Sequence, residues 1–257
     1  HYLFTEEEKA AFLQIEPQAE KWFKPWIGSH EFINRYFRYC LWLGDCEPSD
    51  LRKMPEVMKR VEAVKKFRLD SKSEGTRKIA NTPRRFHVEN MPNSTFVVIP
   101  EVSSEKREYI PIGFISPGIL ASNLVKIIPE ATLYHFGVLT SNVHNDWMRA
   151  VAGRLKSDYR YSKDIVYNNF PWPEATDVQK SAIESAAQAV LDARALFPAS
   201  SLADLYDPLA MPPELLKAHK TLDKTVMQAY GFSPKASEAE MVAALMERYQ
   251  ALIGKSG

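Results

Sequence analysis

The residues of this chain best suited to chemistry are four charged side chains in the segment GRLKSDYRYS, residues 153–162. Arg154, Lys156, Asp158 and Arg160 occupy every second position, and a strand places such side chains on one face. Lys and Arg match the O6 and N7 acceptors of guanine, and Asp matches the N4 amine of cytosine. On a strand, Lys156 and Asp158 would have Cα atoms roughly 6.5–7 Å apart. We therefore predict that they can contact the two bases of one G·C pair.

An exposed ladder of ion pairs is the alternative for this face. Exposed pairs contribute only about 0–1 kcal/mol each, so stability alone gives little reason for so dense a set. The opposite face of the predicted strand carries Tyr159 and Tyr161. The residues by themselves leave both interpretations open.

Two further groups of residues are candidates for contact with phosphate. Residues 50–90 hold more basic than acidic side chains, which is typical either of a polyanion-binding surface or of a solvated helix face. Those of interest lie on a helix that Pro55 opens and in a polar loop between strands. They are Lys59, Arg60, Lys66 and Arg68 on the helix, and Ser104, Lys106 and Arg107 in the loop.

The usual signatures of a catalytic centre are missing from the sequence. In NNFPWP, residues 168–173, Asn169 and Phe170 separate the first asparagine from the prolines, unlike the Asn-Pro-Pro-aromatic loop of amino-methyltransferases. We instead predict that Asn168, Asn169 and Trp172 form a hydrogen-bonded turn with an aromatic lid between two domains. No glycine-rich loop follows a predicted strand, and the six histidines lack helical metal spacing. We expect no catalytic residue and no metal site in this segment.

The secondary structure predicted to position these residues changes along the chain, from helices to short strands and back to helices. Residues 1–48 are predicted to be helical, starting with a capping box at Thr5 and Glu8. The segments TFVVIP, REYIPIGFI and ATLYHFGVL predict short strands, and SNVHNDWMRAVAG predicts a helix before the charged segment. Beyond residue 173 every segment is predicted helical, with capping boxes at residues 176 and 237. We expect an α+β fold: a mixed α/β centre with short strands, flanked by helices and followed by a C-terminal helical bundle.

Cysteine content and hydropathy indicate the cellular compartment of the protein. Cys40 and Cys46 are the only cysteines, which favours a reducing cytoplasm over a disulfide framework. No apolar run approaches the roughly 20 residues that a membrane-spanning helix needs. We expect no association with a membrane.

Long phrases of the sequence resemble a known family. RYCLWLGD, PEVSSEKREYIPIGF, FGVLTSNVHNDWMRAVAGRLKSDYRYS, IVYNNFPWP and SLADLYDPLAMPPELLKAH are similar to the C-terminal third of the MmeI-like, type IIL restriction–modification proteins. The resemblance runs over almost the whole chain. In that family one polypeptide joins an endonuclease domain, an N6-adenine methyltransferase domain, a target recognition domain and a C-terminal helical domain.

The resemblance implies that three parts of the chain have different roles. Residues 1–48 would be a helical linker after a methyltransferase core, residues 49–173 the DNA target recognition domain, and residues 174–257 the C-terminal helical domain. Lys156, Asp158 and Arg160 would contact bases, and the other candidates would contact the backbone or support the site. The partners would be double-stranded DNA and the methyltransferase and nuclease domains of the same polypeptide. S-adenosylmethionine and Mg²⁺ would serve that longer bacterial, cytoplasmic protein, and the segment alone would be inactive.

Two alternatives remain for the function. A helical protein-interaction or spacer module would bind protein independently of salt and would not bind DNA. A stand-alone enzyme would turn over a substrate as this segment alone, which the missing cofactor loop argues against.

Overall fold

The computed structural model describes residues 1–254, and its fold is α+β, as expected. Ten short strands form three small sheets among these residues. The strands are β1 Leu3–Phe4, β2 Phe23–Ile27, β3 Arg38–Leu41, β4 Phe96–Pro100, β5 Val102–Ser103, β6 Gly113–Ile115, β7 Leu120–Ala121, β8 Val125–Pro129, β9 Gly153–Leu155 and β10 Asp158–Arg160.

Helices supply most of the regular structure. They are α1 Glu6–Ile15, α2 Ser29–Asn34, α3 Pro48–Leu51, α4 Pro55–Leu69, α5 Glu74–Lys78, α6 Leu133–Thr140, α7 Asn142–Val151, α8 Asp177–Ala195, α9 Leu202–Leu205, α10 Pro213–Tyr230 and α11 Glu238–Gly254. A 3₁₀ turn at Pro17–Trp22 and a π-helical turn at Lys163–Tyr167 complete the set. No helix within residues 1–254 is long and apolar enough to cross a membrane.

The first 48 residues are not the helical segment that the sequence predicted. They contain β1, β2 and β3, which join β7 in a sheet of order β1-β3-β2-β7. The partner of β2 on one side is β7, about 95 residues downstream and parallel, so local periodicity carries no sign of it. The aromatic rings of Phe4, Phe12 and Phe23 pack edge to face beneath this sheet, with centroids 4.9–5.9 Å apart. Helix α1 and its capping box at Thr5 are confirmed.

Two of the three strands predicted for the centre of the chain are present, and the third segment is a helix. β4 and β6 pair antiparallel within a sheet of order β6-β4-β8, as TFVVIP and REYIPIGFI suggested. ATLYHFGVL, by contrast, contains helix α6 and no strand. Residues 136–140 are all buried, so this short helix shows no amphipathic period. A short apolar run of this kind cannot be assigned to helix or strand by periodicity.

Helix α7 joins the central sheets to the C-terminal helices in one apolar core. Trp147 is buried on α7 and donates from Nε1 to the Val166 carbonyl at 3.0 Å. The same core takes in residues of α8, α10 and α11. Asp223 on α10 accepts from the Tyr109 hydroxyl at 2.6 Å and from the Asn142 backbone N–H at 2.8 Å. The second of these bonds satisfies a donor in the first turn of α7.

The stretch that follows the π-helical turn forms the hydrogen-bonded turn expected from NNFPWP. Asn169 donates from Nδ2 to the carbonyls of Asp164 and Ile165, at 3.1 Å each. Trp172 packs against Phe170, with ring centroids 5.6 Å apart. The capping boxes predicted at residues 176 and 237 are present.

Candidate nucleic-acid interface

The segment GRLKSDYRYS forms a β-hairpin and not one continuous strand. β9 and β10 pair antiparallel with Asp158 opposite Leu155, so Lys156 and Ser157 alone make the turn. Lys156 has φ +56°, and two-residue hairpin turns use positive φ to match the strand twist. This conformation costs an L-residue roughly 1–2 kcal/mol. The single face of four alternating charges is therefore a wrong prediction, because Lys156 lies at the tip and Asp158 starts the returning strand.

The base of the hairpin is fixed to the core of the protein. Strand β10 also pairs with β5, in a sheet of order β5-β10-β9. The Tyr161 backbone N–H donates to the Glu101 carbonyl at 2.7 Å, and its hydroxyl lies 3.1 Å from His144 Nε2. Burial raises the pKa of Tyr161 and lowers that of His144 to about 3, so this contact is uncharged. Tyr161 is 2% exposed and supports the hairpin from below, which corrects any role in direct DNA contact.

Arg154 and Tyr159 stiffen the hairpin across its two strands. They are directly opposite in the register, and the Arg154 guanidinium lies 3.8 Å from the Tyr159 ring centroid. Arg154 also donates to the Ser157 carbonyl at 2.7 Å and lies 3.5 Å from a Glu105 carboxylate oxygen. Cation–π and charge-assisted contacts of this kind hold the turn in a fixed geometry.

The two residues predicted to contact one base pair have different surroundings. Lys156 is exposed and has no hydrogen bond or ion pair with any residue in the described part of the chain. Asp158 is half-buried, and its Oδ1 accepts from the Glu105 backbone N–H at 3.3 Å. Lys156 is therefore free to bind an external acceptor, while Asp158 is held by the neighbouring loop.

Arg160 is held through one nitrogen only. Its Nε donates to Glu101 Oε1 at 2.9 Å, and Lys126 Nζ donates to the other oxygen of Glu101 at 2.9 Å. Burial raises the pKa of Glu101, but hydrogen bonds from the two cations outweigh burial and leave the pKa below its ordinary value. The ionised carboxylate orients Arg160 and leaves the terminal nitrogens of the guanidinium without a partner among residues 1–254.

Arg154 and Arg160 of the hairpin line an open groove of about 760 Å³ beside it, whereas Lys156 and Asp158 lie outside this lining. Among the polar residues of this groove that were not predicted from the sequence are Glu101, Asn123 and Lys126. Asn123 is exposed in the turn between β7 and β8. No local pattern identifies these residues, since they lie 34–59 positions before Arg160 and meet it only through strand pairing. The groove offers carboxylate, amide, ammonium and guanidinium groups, the set that can distinguish base edges in a major groove.

The polar loop after β5 lies against the side of the hairpin. It closes on itself through a Lys106 backbone N–H that lies 3.4 Å from Ser104 Oγ and an Arg107 N–H that donates to the Ser104 carbonyl at 3.2 Å. Lys106 is exposed. Arg107 is half-buried, and burial lowers its pKa. Lys106 is the member of this loop most available to phosphate.

Of the four cations predicted on one face of α4, Lys59 and Lys66 are exposed and Arg60 and Arg68 are not. Lys59 pairs with Glu56 at 2.6 Å, and Arg60 is half-buried, with its guanidinium 4.2 Å from the Phe4 ring centroid. Lys66 is exposed and has no partner among the described residues. A phosphate contact by Lys66 stays a prediction.

Arg68 is buried, which corrects its assignment as a DNA backbone contact. It is 8% exposed and donates to the carbonyls of Ile79, Thr82 and Arg85 at 2.9, 2.8 and 2.6 Å. The spacing of α4 explains this burial. Val57, Val61, Val64 and Arg68 follow one another at intervals of four, three and four residues, so Arg68 continues the buried stripe.

Comparisons with known proteins agree along the whole chain. A family model described as "MmeI, target recognition domain" matches residues 1–174, and one described as "MmeI, C-terminal domain" matches residues 175–255. The chain is 40% identical to DNA methyltransferase A of Bacillus subtilis (strain 168) over 248 residues, 96% of this chain and 28% of the relative. It is 47% identical to the type IIL restriction–modification enzyme MmeI, whose structure was solved in complex with DNA. That match has a TM-score of 0.96 and covers 98% of this chain and 34% of the other. The chain thus spans about a third or less of the length of these relatives.

Proposed function

This chain belongs to the MmeI family, and we propose that it is the module through which a longer restriction–modification protein recognises a specific sequence of double-stranded DNA. The observation that carries the proposal is the groove beside the hairpin, which Arg160 lines with its terminal nitrogens unpartnered, next to a turn whose exposed Lys156 has no partner among the described residues. The solved relative in complex with DNA supports the same partner.

The residues of the hairpin, of the groove beside it and of the neighbouring loop have separate roles in this proposal. Lys156 donates to guanine O6 or N7, and Asp158 accepts from the cytosine amine of the same pair. Arg160 donates from its terminal nitrogens to a neighbouring pair or to phosphate, while Glu101 fixes its orientation. Arg154 and Tyr159 support the hairpin, and Ser104, Lys106 and Arg107 lie beside it as candidates for phosphate contact.

The chemistry itself belongs to the rest of the longer protein in this proposal. That protein is an adenine-N6 methyltransferase with endonuclease activity, located in the bacterial cytoplasm, and S-adenosylmethionine and Mg²⁺ are its cofactors. In this proposal the other domains of the longer protein bind Mg²⁺ as well as the methyl donor. The recognition module holds the duplex in register while the methyltransferase flips out its adenine.

The domain division stays part of the proposal. Residues 49–173 carry the recognition elements and residues 174–257 the helical domain, a division supported by the two family models meeting between residues 174 and 175. The first of those models begins at residue 1, so residues 1–48 are better assigned to the recognition domain than to a separate linker.

A charge exchange on the hairpin tests base recognition. Replacing Lys156→Glu together with Asp158→Arg should reverse one base pair of the recognised site from G·C to C·G and leave the other positions unchanged. A good bidentate contact discriminates by about 1–3 kcal/mol. The measurement is methylome sequencing of cells that carry the longer protein, before and after the exchange.

The matched control is an exchange at a surface pair outside the groove, Asp177→Lys with Lys180→Glu on α8, whose charges lie 3.8 Å apart. This control should leave the methylated motif unchanged. An identical motif after the hairpin exchange, or equal loss at every position, would contradict base recognition. Binding to protein that is independent of salt, with no binding to DNA, would favour the alternative of an interaction or spacer module.

A further inference from the structure

We propose that residues 85–90, between α5 and β4, form a second DNA-contacting element, in which Asn90 contacts a base edge and Arg85 contacts a backbone phosphate. This inference rests on the proposed function, because it adds one contact in the same groove, from Asn90, and one outside its lining, from Arg85. None of these residues belongs to the hairpin.

The segment that leads into this element has no regular structure and is nevertheless fixed. Three of its carbonyls, those of residues 79, 82 and 85, accept hydrogen bonds from the buried guanidinium of Arg68. The Tyr2 hydroxyl donates to the Pro83 carbonyl at 2.8 Å. Phe86 stacks on Trp42, with ring centroids 6.1 Å apart and an interplanar angle of 14°. The segment is thus attached both to α4 and to the N-terminal sheet.

This attachment uses a guanidinium where an apolar side chain would ordinarily lie. A buried guanidinium is tolerated only when hydrogen bonds replace its lost water, and Arg68 obtains them from a backbone that no sheet or helix satisfies. A loop held this firmly can present side chains in a defined geometry, which specific recognition requires. The side chains that the loop presents are those of the residues just after Arg84.

Two of the presented side chains line the groove described above, and Arg85 lies outside its lining. Val88 and Asn90 are part of its lining, together with Arg160. The Asn90 carbonyl accepts from the Ala121 backbone N–H at 2.8 Å, which places Asn90 just before the turn that carries Asn123. The Asn90 side-chain amide has no partner among residues 1–254. An asparagine amide pairs with N6 and N7 of adenine.

Arg85 is suited to phosphate. Its side chain is 53% exposed, and its partner is Glu89 at 2.9 Å. Exposed pairs of this kind are weak, so a phosphate can replace the carboxylate. His87 is exposed between them. Arg85 and Asn90 therefore combine one sequence-independent and one sequence-dependent contact on a single segment.

Two variants of the longer protein separate these contacts. Binding would be measured by fluorescence anisotropy on duplexes that carry the methylated site and its single-position changes, at several salt concentrations. Asn90→Ala should reduce the preference at one base pair about fivefold or more and leave the other positions unchanged. Arg85→Gln should weaken binding to all duplexes alike and lower the salt slope by about one. Lys224→Gln, an exposed cation on α10, is the control and should change neither.

The outcomes separate this inference from the proposed function. If Asn90→Ala keeps every preference and Arg85→Gln keeps the salt slope, while Arg160→Ala still relaxes specificity, the second element is wrong and the recognition module stands. If Arg160→Ala also changes nothing, both are wrong. Should Asn90→Ala lower the melting temperature, Asn90→Asp decides, because it keeps the shape and removes the two donors. An unchanged preference in that variant overturns the inference.

Discussion

Helix α4 and the β9–β10 hairpin carry similar basic side chains and use them in opposite ways. On α4 the two arginines turn inward, where Arg68 holds three carbonyls and Arg60 covers Phe4, while Lys59 pairs with Glu56 at the surface. On the hairpin Lys156 has no partner in the described residues, and Arg160 keeps its terminal nitrogens free. Charge composition alone would predict DNA contact equally for both surfaces. What separates them is where each guanidinium or ammonium lies relative to the core.

Replacing Arg68 should have the largest effect of any change at these two surfaces. Arg68→Met removes three hydrogen bonds from a charged donor, and of their acceptors only the Arg85 carbonyl then lacks a partner among residues 1–254, so we expect the free energy of unfolding to fall by roughly 2 kcal/mol. Urea unfolding measures this change. Lys66→Met on the same helix is the control and should stay within about 0.5 kcal/mol. Equal effects of the two variants would remove the contrast between buried and exposed cations on α4.

A second prediction concerns the helix beneath the hairpin. Burial raises the pKa of Asp146 on α7 to about 7, although Arg149 opposes the shift. The folded protein therefore holds this proton more tightly than the unfolded chain, and the free energy of unfolding should decrease as pH rises from about 4 towards 7. Asp146→Asn should flatten this decrease. Parallel pH profiles for the two proteins would contradict the assignment of this pH dependence to Asp146.

A smaller effect is expected from replacing Lys156 at the tip of the hairpin. The replacement should increase stability and reduce sequence recognition. Glycine adopts φ near +56° without steric cost, so Lys156→Gly should raise the free energy of unfolding by up to about 1 kcal/mol. The same change should abolish the preference at one base pair, which binding to singly altered duplexes measures. A stabilised variant with unchanged specificity would show that Lys156 is only a turn residue.

The smallest effect is expected at Lys66, the exposed cation of α4. Lys66→Gln should leave stability unchanged. If Lys66 contacts phosphate, the salt slope of DNA binding should fall by about one. An unchanged slope would mean that α4 contributes no DNA contact through Lys66.

Local sequence signals predicted the elements whose determinants lie within a few residues. The capping boxes at Thr5 and Thr176 and the strand β4 are of this kind, and they are present. The hairpin turn was missed, since Lys-Ser lacks the glycine or asparagine that usually marks positive φ. The parallel pairing of β2 with β7 could not be predicted, because nothing within either strand specifies a partner about 95 residues away.

The candidate site was predicted only in part, for the same reason. The identity of the hairpin residues was visible in the sequence, but their arrangement was not. Glu101, Asn123 and Lys126 reach the groove through the pairing of β5 with β10 and of β4 with β8. Arg68 is the instructive exception, since its spacing from Val64 and Val61 already places it on the buried stripe.

The hydrogen bond between Tyr109 and Asp223 has a consequence for engineering by domain exchange. Its donor lies in the part matched by the recognition model and its acceptor in the part matched by the C-terminal model. Arg194 makes a similar link by donating to the Ile112 carbonyl at 2.7 Å. A chimera joined between residues 174 and 175 would set each buried group against a foreign partner. We therefore expect substitutions within the groove to disturb the fold less than a junction between residues 174 and 175.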